Sequence, residues 1–179
     1  MKIDIELLEI SGLHSAMYAL RLPYGKDMRS HVNVHYSLDS NKFTSTEVTI
    51  LDDKDVSLLE TLVRRGDEHA KVLRGVLVYL KIQAPIWFYR ELETYRIGRE
   101  RLSCESTMHI ECKGLSGDEL EEAKDMIPMG HVQKTVDIYS YQTLRRIYFQ
   151  RRNHRLPMWR DFCSFIETLP FAKEFILCQ

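Results

Sequence analysis

The stretch at residues 84–109, APIWFYRELETYRIGRERLSCESTMH, indicates most clearly how this chain folds and what it binds. Its first part, residues 84–88, is apolar enough to be buried, and polar, hydrogen-bonding side chains crowd the rest. A buried segment that leads directly into such a cluster is typical of the border of a pocket. Arg90 and Arg96 follow it closely, and a guanidinium group can contact two phosphate oxygens at once. We therefore expect these two arginines to bind an anionic ligand.

Two further arginines of this stretch, Arg99 and Arg101, have a simpler interpretation. Three glutamates lie near them in sequence, and ion pairs of this kind are common on solvated surfaces. We therefore predict a solvated helix end rather than a binding role. The expected ion-pair partners are Glu91, Glu93 and Glu100.

The end of the stretch offers hydroxyls, a carboxylate and an imidazole within a few residues of one another. Ser103, Glu105, Ser106 and His109 form this set, which suits the binding of a nucleobase and a phosphate. Their composition alone is equally typical of a solvated loop. Both interpretations stay open on the residues by themselves.

A second basic segment lies near the C-terminus, where residues 145–160 contain six arginines and no acidic residue. Tyr148, His154 and Trp159 are interleaved with them, and such mixtures bind nucleotides through phosphate charge and base stacking. The net charge of the whole chain is −1, so we do not expect binding of long nucleic acid. We expect Trp159 in the core and select Arg160 as a binding residue.

Composition indicates one ordinary globular domain spanning residues 1–179, with 44 % hydrophobic and 28 % charged residues. The four cysteines lack CxxC spacing, so we expect reduced thiols, and the seven histidines show no metal-ligand spacing. The N-terminal residues lack the apolar core of a signal peptide, and no apolar run approaches the roughly 20 residues that span a bilayer. We expect a cytoplasmic protein with no metal site.

In the first half of the chain, alternating apolar residues predict a strand at 2–10, followed by a helix that Ser11 caps and Gly25 ends. Residues 31–38 and 43–51 predict two strands joined by a turn at Asp39, Ser40 and Asn41. Aspartates from Asp52 onward predict the start of a helix that Gly66 ends.

The second half begins with a predicted central strand at 71–82 and a helix from Pro85 to Tyr95. Ser116 and Glu119 form a capping-box pair that predicts a short acidic helix ending before Pro128. Residues 135–151 and 158–166 predict two more helices. This mixture of meander strands and helices predicts an α+β fold with a mainly antiparallel sheet.

The order of these elements resembles the flavin-dependent thymidylate synthases, the ThyX family. That family carries the signature RHRxxSxNExSxR after an arginine–glutamine pair, and a segment like HAQWEIR nearer the C-terminus. Here Arg90–Glu91 stands at the arginine–glutamine pair and Thr94–Tyr95–Arg96 at the first triplet of the signature. Residues 154–160, HRLPMWR, stand at the second segment, and His69 lies in the turn that precedes the central strand.

The resemblance implies a ThyX-like fold and a homo-oligomer, a tetramer as in that family, with nucleotide pockets between subunits. Thr94 and Tyr95 replace the arginine and histidine that lie against the flavin, which removes a charge that pairs with phosphate. FAD is therefore expected only if the family's chemistry is retained, in which case His69, Tyr95, Arg96 and Gln142 are implied to contact it. The implied nucleotide-binding residues are Arg90, Tyr95, Arg96, Ser103, Glu105, Ser106, His109 and Arg160.

Our preferred hypothesis is a nucleotide-binding protein that has lost or altered the flavin chemistry. Such a protein can sequester a nucleotide, including a signalling nucleotide, as small viral (phage) proteins do. One alternative is an active flavin-dependent thymidylate synthase, or a related enzyme that methylates dUMP, so the sequence leaves the enzyme assignment open. A second alternative is a structural or interaction protein built on the same fold.

Overall fold

The computed structural model describes residues 2–27, 29–39 and 42–179, and it divides the chain into strands, α-helices and short helical turns. The strands are β1 (Asp4–Ser11), β2 (His31–Asp39), β3 (Lys42–Ile50), β4 (Leu77–Pro85), β5 (Arg99–Cys104) and β6 (Val132–Ser140). The α-helices are α1 (Leu13–Arg21), α2 (Asp53–Arg65), α3 (Ile86–Leu92), α4 (Gly117–Asp125), α5 (Tyr141–Arg151) and α6 (Pro157–Glu167). The helical turns are Leu22–Tyr24, Lys71–Arg74, Glu93–Tyr95 and the π-helical Lys173–Leu177.

The main sheet has four antiparallel strands in the order β1-β4-β6-β5. Its centre is β4, where Val78, Leu80, Ile82 and Ala84 alternate along one face and are fully buried. This period-two burial is the pattern expected of a strand with one face against a core. The prediction of an α+β fold with a mainly antiparallel sheet is confirmed.

A separate two-stranded sheet pairs β2 with β3 in antiparallel register, from His31 opposite Ile50 to Asp39 opposite Lys42. The predicted hairpin is confirmed by this register. Ser40 and Asn41, which we predicted in its turn, lie outside the described residues.

Helices α3, α5 and α6 carry the aromatic part of the core. Phe88 on α3 and Trp159 on α6 are fully buried, with ring centroids 4.8 Å apart. Phe162 lies one turn further along α6 and packs on both rings. The expectation that Trp159 belongs to the core is confirmed.

The N-terminal boundaries of two helices show how local sequence decides capping. The predicted start of α2 at the aspartates is confirmed, and Asp52 caps the helix, because its carboxylate accepts a hydrogen bond from Lys54 N at 3.0 Å. The predicted cap of α1 is wrong, since Ser11 is the last residue of β1 and Gly12 occupies the cap position with φ +82°. Ser116 precedes α4 as predicted, but its side chain makes no capping hydrogen bond.

Residues 135–151, which we predicted as one helix, do not form a single element. The structure divides them into the end of β6 and the helix α5, with Ser140 at the boundary. The side chain of Ser140 accepts a hydrogen bond from Thr143 N at 3.2 Å and caps α5. The inward face of β6 carries Thr135, Asp137 and Tyr139, and the first two are polar. The sequence of β6 therefore lacks the alternation of apolar and polar residues that identifies a strand.

Three other segments of the fold differ from the prediction or extend it. The predicted strand at 71–82 begins only at Leu77, because Lys71–Arg74 form a 3-10 turn. Residues 99–104, predicted as a helix end and loop, form β5 and pair with β6. Beyond Pro170 a π-helical turn returns Phe175 to the core. Within the described ranges, no helix combines the length and the apolar character needed to cross a membrane.

Candidate functional site

A two-lobed cleft lies at one end of the main sheet, where β4 and β5 begin and β6 ends. The larger lobe has a volume of about 440 Å³ and the smaller about 290 Å³, and together they are large enough for a small-molecule ligand. Arg74, Gly98 and Ser140 line both lobes, so the two lobes are adjacent. The larger lobe is also lined by Asp67, Ile97, Gln142, Thr143 and Arg146, and the smaller by Leu77, Arg96, Arg99, Glu100 and Ile138.

The wall between the lobes is a turn that packs directly on the first turn of α5. Gly98 O accepts a hydrogen bond from Ser140 N at 2.8 Å, and Ile97 O accepts one from Thr143 Oγ1 at 2.8 Å. Arg146 Nη2 also donates to Ile97 O, at 3.0 Å. Gly98 has φ +77°, and a Cβ atom at this position would collide with Thr143 Oγ1 and lie 2.8 Å from Ser140 Oγ. Only glycine therefore fits this close approach.

The larger lobe is lined by two arginines, Arg74 and Arg146, and by one acidic residue, Asp67, so positive charge is in excess. Arg74 Nε donates to Gln142 Oε1 at 2.7 Å, and Gln142 Nε2 donates to Asp67 O at 3.3 Å, which fixes both side chains. The two Nη atoms of Arg74 have no hydrogen-bond partner among the residues that the structure describes. Arg146 and the N-terminal end of α5, with its partial positive charge, face the same space. This arrangement suits the binding of an anionic group such as phosphate.

The smaller lobe combines an apolar floor with two charged side chains. Leu77 on β4 and Ile138 on β6 form the floor, and both are half-buried. Arg96 and Glu100 are exposed and lie at the sides. Neither has an ion pair or a side-chain hydrogen bond with any other residue in the described part of the chain. A flat group can rest on this floor while its edge contacts these charges.

A buried ion-pair network supports the smaller lobe from the other face of the sheet. Arg99 is 7 % exposed and donates to Asp137 Oδ2 at 3.0 Å, to Tyr139 Oη at 3.2 Å and to Glu93 Oε1 at 3.3 Å. Arg101 Nε donates to Asp137 Oδ1 at 3.2 Å. Burial lowers the pKa of Arg99, but Tyr139 and Asp137 outweigh this effect and the pKa is raised above its ordinary value. Burial also raises the pKa of Tyr139, so its hydroxyl stays protonated.

The interpretation of Arg99 and Arg101 as a solvated helix end is therefore wrong. Both lie on β5, Arg99 is buried, and their shared partner is Asp137 on the neighbouring strand. The expected pairing with Glu93 is present for both arginines, at 3.3 and 3.2 Å.

The structure brings only some of the predicted site residues together. Arg96 and Gln142 line the cleft. Ser103 and Glu105 instead line a separate, open cavity of about 300 Å³ on the sheet, beside Lys81 and Lys134. Glu105 accepts hydrogen bonds from Lys134 N and Nζ at 2.9 and 3.1 Å, and these lower the pKa of its carboxyl. Ser106 and His109 lie in the turn after β5, where Ser106 O accepts from His109 N at 3.0 Å.

Tyr95 is held inside the protein by contacts within this chain. It is 4 % exposed, its hydroxyl donates to Gln150 Oε1 at 3.0 Å, and it accepts from Arg151 Nε at 2.7 Å. Its ring packs edge-on against Trp159, with centroids 5.9 Å apart. Trp159 Nε1 in turn donates to Glu91 Oε2 at 2.6 Å, so the stretch at 84–109 and the arginine-rich segment meet here within one chain.

The remaining predicted site residues lie on the surface, outside the lining of the cleft. Arg90 is exposed on α3, and His69 is half-exposed with Nε2 3.7 Å from Glu68 Oε1. Arg160 is exposed on α6 and donates to His154 O at 2.7 Å. In the described part of the chain, no group of three or more histidine, cysteine or acidic side chains has a geometry that could hold a metal ion.

Several residues that line the cleft were not predicted from the sequence. Arg74 lies in the turn before β4, where no local pattern marked it. Ser140 precedes an apolar helical pattern, and a serine at such a position is a typical N-terminal cap. We had instead placed Ser140 and Thr143 inside one long helix. Arg146 belongs to the arginine-rich segment that we identified, although we selected Arg160 from it. Gly98 lies two positions after Arg96, and a glycine at such a place is a common signal of a tight turn.

Comparison with solved structures finds the same fold in thymidylate synthase X. The flavin-dependent thymidylate synthase ThyX from Helicobacter pylori, complexed with FAD and dUMP, superposes with a TM-score of 0.69 over 99 % of both chains at 14 % identity. A second structure of ThyX from the same organism with FAD and dUMP has a TM-score of 0.71 over 98 % of both chains at 13 % identity. No protein-family model matches the sequence, and no curated protein sequence matches it. At this identity the likeness shows a ThyX-like fold.

Proposed function

We propose that this chain binds a nucleotide in the two-lobed cleft. The observation that carries the proposal is the pair of guanidinium groups, Arg74 and Arg146, beside the N-terminal end of α5. The phosphate is bound there, because the partial positive charge at the N-terminal end of α5 adds to the two guanidinium charges. The base lies in the smaller lobe, on Leu77 and Ile138 and beside Arg96. The solved ThyX structures of the same fold contain dUMP, which is consistent with a nucleotide ligand.

We also propose that the flavin chemistry of that fold is lost or altered here. The resemblance places flavin contacts at Thr94 and Tyr95, and neither side chain is free in this chain. Thr94 Oγ1 donates a hydrogen bond to Glu91 O at 2.8 Å. Tyr95 is buried against Trp159, and its hydroxyl donates to Gln150 and accepts from Arg151. These residues do not fit a flavin that must lie against them. We propose that the protein binds a nucleotide without converting it chemically, as a sequestering protein of viral origin does.

The competing function is an active enzyme that methylates dUMP with FAD. One observation favours it: Arg96 and Gln142, two of the residues that the resemblance implies to contact the flavin, do line the cleft. Denaturing freshly purified protein and identifying the released molecules by mass spectrometry separates the two functions. Released FAD, with a yellow absorbance spectrum beforehand, supports the enzyme, whereas a nucleotide without flavin supports sequestration.

The decisive test of nucleotide binding is calorimetric titration of a panel of nucleoside monophosphates at about 0.1 M salt, where surface electrostatics are not exaggerated. Replacing Arg74 and Arg146 together by methionine keeps a flexible, unbranched side chain at each position and removes the guanidinium group with its charge. We expect affinity to fall at least 100-fold, since each hydrogen bond to a charged group contributes about 1.5–3 kcal/mol. Arg155→Met is the matched control, because Arg155 is exposed between α5 and α6 and does not line the cleft. Unchanged affinity in the double variant contradicts the proposal.

We further propose that copies of the chain associate, as a tetramer by resemblance to the ThyX family. Exposed apolar side chains on the main sheet support association: Leu7, Leu8 and Leu102 are 41 %, 47 % and 54 % exposed. Light scattering coupled to size-exclusion chromatography gives the number of subunits, and a monomer at micromolar concentration contradicts this part of the proposal.

A further inference from the structure

The smaller lobe is lined by a carboxylate, that of Glu100, which has no partner among the residues that the structure describes. Glu100 lies on β5 directly opposite Ile138 of β6, so its side chain stands on the same face of the sheet as the apolar floor. It is exposed and has no ion-pair or hydrogen-bond partner within the described residues, whereas the guanidinium group of the neighbouring Arg99 is paired with Asp137, Tyr139 and Glu93. Glu100 is therefore free to contact a ligand in this lobe.

Strand spacing separates Glu100 from Arg74 by a distance that a nucleotide can span. Arg74 lies three positions before Leu77, the first residue of β4, and Glu100 lies on β5, with β6 between these two strands. Neighbouring strands are about 4.8 Å apart, so the strands that carry the two residues are separated by roughly 10 Å. A ligand whose phosphate contacts Arg74 thus presents the far edge of its base to Glu100.

An ionised carboxylate only accepts hydrogen bonds, and its two oxygens are satisfied best by two adjacent donors. Guanine offers this pair on one edge, through N1–H and the N2 amino group. Uracil offers a single N3–H between two carbonyl oxygens, which are repelled by a carboxylate. Adenine and cytosine each place one amino donor beside a ring nitrogen that is an acceptor.

Because the carboxylate matches only one of these edges, we propose that Glu100 makes the cleft selective for guanine nucleotides and against uracil nucleotides. This inference rests on the proposed binding of a nucleotide in the same cleft, with the base in the smaller lobe. It separates this chain from the ThyX structures of the same fold, which contain dUMP.

The test is a comparison of dissociation constants for dGMP and dUMP by calorimetric titration, with dAMP and dCMP as further ligands. We expect dGMP to bind roughly 10- to 100-fold more tightly than dUMP, the range expected for one well-formed two-point contact to a base. Glu100→Gln keeps the shape of the side chain and replaces one acceptor by a donor. It should weaken dGMP binding and strengthen dUMP binding, so that the preference disappears. Glu121→Gln on the exposed helix α4 is the matched control and should leave both constants unchanged.

Each result of this comparison is decisive. A preference for dGMP that Glu100→Gln removes supports the inference. Tight binding of dUMP in the unaltered protein, equal to or tighter than that of dGMP, overturns the inference and leaves nucleotide binding intact. A preference for dGMP that survives in Glu100→Gln overturns the assignment to Glu100. If none of the four nucleotides binds, both the proposed function and the selectivity that depends on it are overturned.

Discussion

Asp137, which is fully buried on β6, accepts a hydrogen bond from Arg99 at 3.0 Å, although the two residues are 38 positions apart in sequence. Arg101 and the hydroxyl of Tyr139 donate to the same carboxylate at 3.2 and 3.3 Å. Ion pairs as well as apolar contacts therefore connect β5 and β6 on the buried face of the sheet below the smaller lobe. A buried carboxylate with several donors is costly to disturb, because each partner has given up its contacts with water.

Replacing Asp137 by asparagine should therefore destabilise the protein by about 3–5 kcal/mol, because the substitution keeps the shape but removes the buried carboxylate and leaves only the half-exposed Glu93 to pair with Arg99. Denaturation in urea, followed by circular dichroism, measures this loss. Glu60→Gln is the control, since it removes an exposed ion pair with Arg64 and should cost less than about 1 kcal/mol. Equal losses for the two variants would show that the network of Asp137 contributes no more than a surface pair.

The turn at Gly98 is expected to tolerate no side chain. Gly98→Ala places a methyl group against Thr143 and Ser140 in a backbone conformation with φ +77°, so the turn must move away from α5. We expect a loss of stability of about 1–3 kcal/mol together with a loss of nucleotide binding. Gly114→Ala separates strain from collision, because Gly114 has φ +88° but nothing within 4 Å of an added Cβ. If both variants bind nucleotide equally well, the close approach at Gly98 does not shape the cleft.

The stability of the protein should fall in acid through Asp55. This buried carboxylate accepts hydrogen bonds from Arg21 Nε, Ser30 N, Ser30 Oγ and Arg29 N at 2.6–3.0 Å. Burial raises the pKa of Asp55, but these hydrogen bonds outweigh burial and hold the pKa below its ordinary value. The lowered pKa contributes stability that is fully present above the unfolded pKa of about 3.9 and is lost as the pH falls through the folded value.

The measurement is the free energy of unfolding from pH 7 to pH 2.5, for the unaltered chain and for Asp55→Asn. At pH 7 the variant should be less stable by about 1–3 kcal/mol, and the difference should narrow below about pH 4, as the carboxyl becomes protonated. Asp53→Asn, at an exposed position in the first turn of α2, is the control and should change stability by less than about 1 kcal/mol. A difference that stays constant down to pH 2.5 would assign the loss to packing instead of charge.

The parts of the fold that could be predicted are those whose cause is local. The helix α2 was predicted at both ends, because the Asp52 cap and the terminating Gly66 act on adjacent residues. The β2–β3 hairpin was predicted from alternation over contiguous residues. The boundary between β6 and α5 was not, because Asp137 breaks the apolar pattern of its strand and its partner Arg99 is distant in sequence. Periodicity identifies apolar faces, so it fails on a face that is buried through ion pairs.

The candidate site shows the same limit. Arg96 was predicted because it directly follows a buried segment, and it does line the cleft. Arg74 lies 22 positions earlier in the sequence, and only the antiparallel order β4-β6-β5 brings it to the same end of the sheet. The buried position of Tyr95 was equally hidden, since its partners Gln150 and Arg151 are 55 and 56 positions away.

Helix α5 carries two kinds of arginine, and their variants should separate stability from binding. Arg151 lies over the Trp159 ring at 4.5 Å from its centroid and donates to Tyr95, so it belongs to the core. Arg151→Met should cost about 1–3 kcal/mol of stability and alter tryptophan fluorescence, while nucleotide affinity changes less than twofold. Arg146→Met should have the opposite effect, with affinity at least 10-fold weaker and stability lower by no more than about 1 kcal/mol. If Arg151→Met weakens binding as much as Arg146→Met does, the ligand contacts the Trp159 side of α5 and the cleft is not the site.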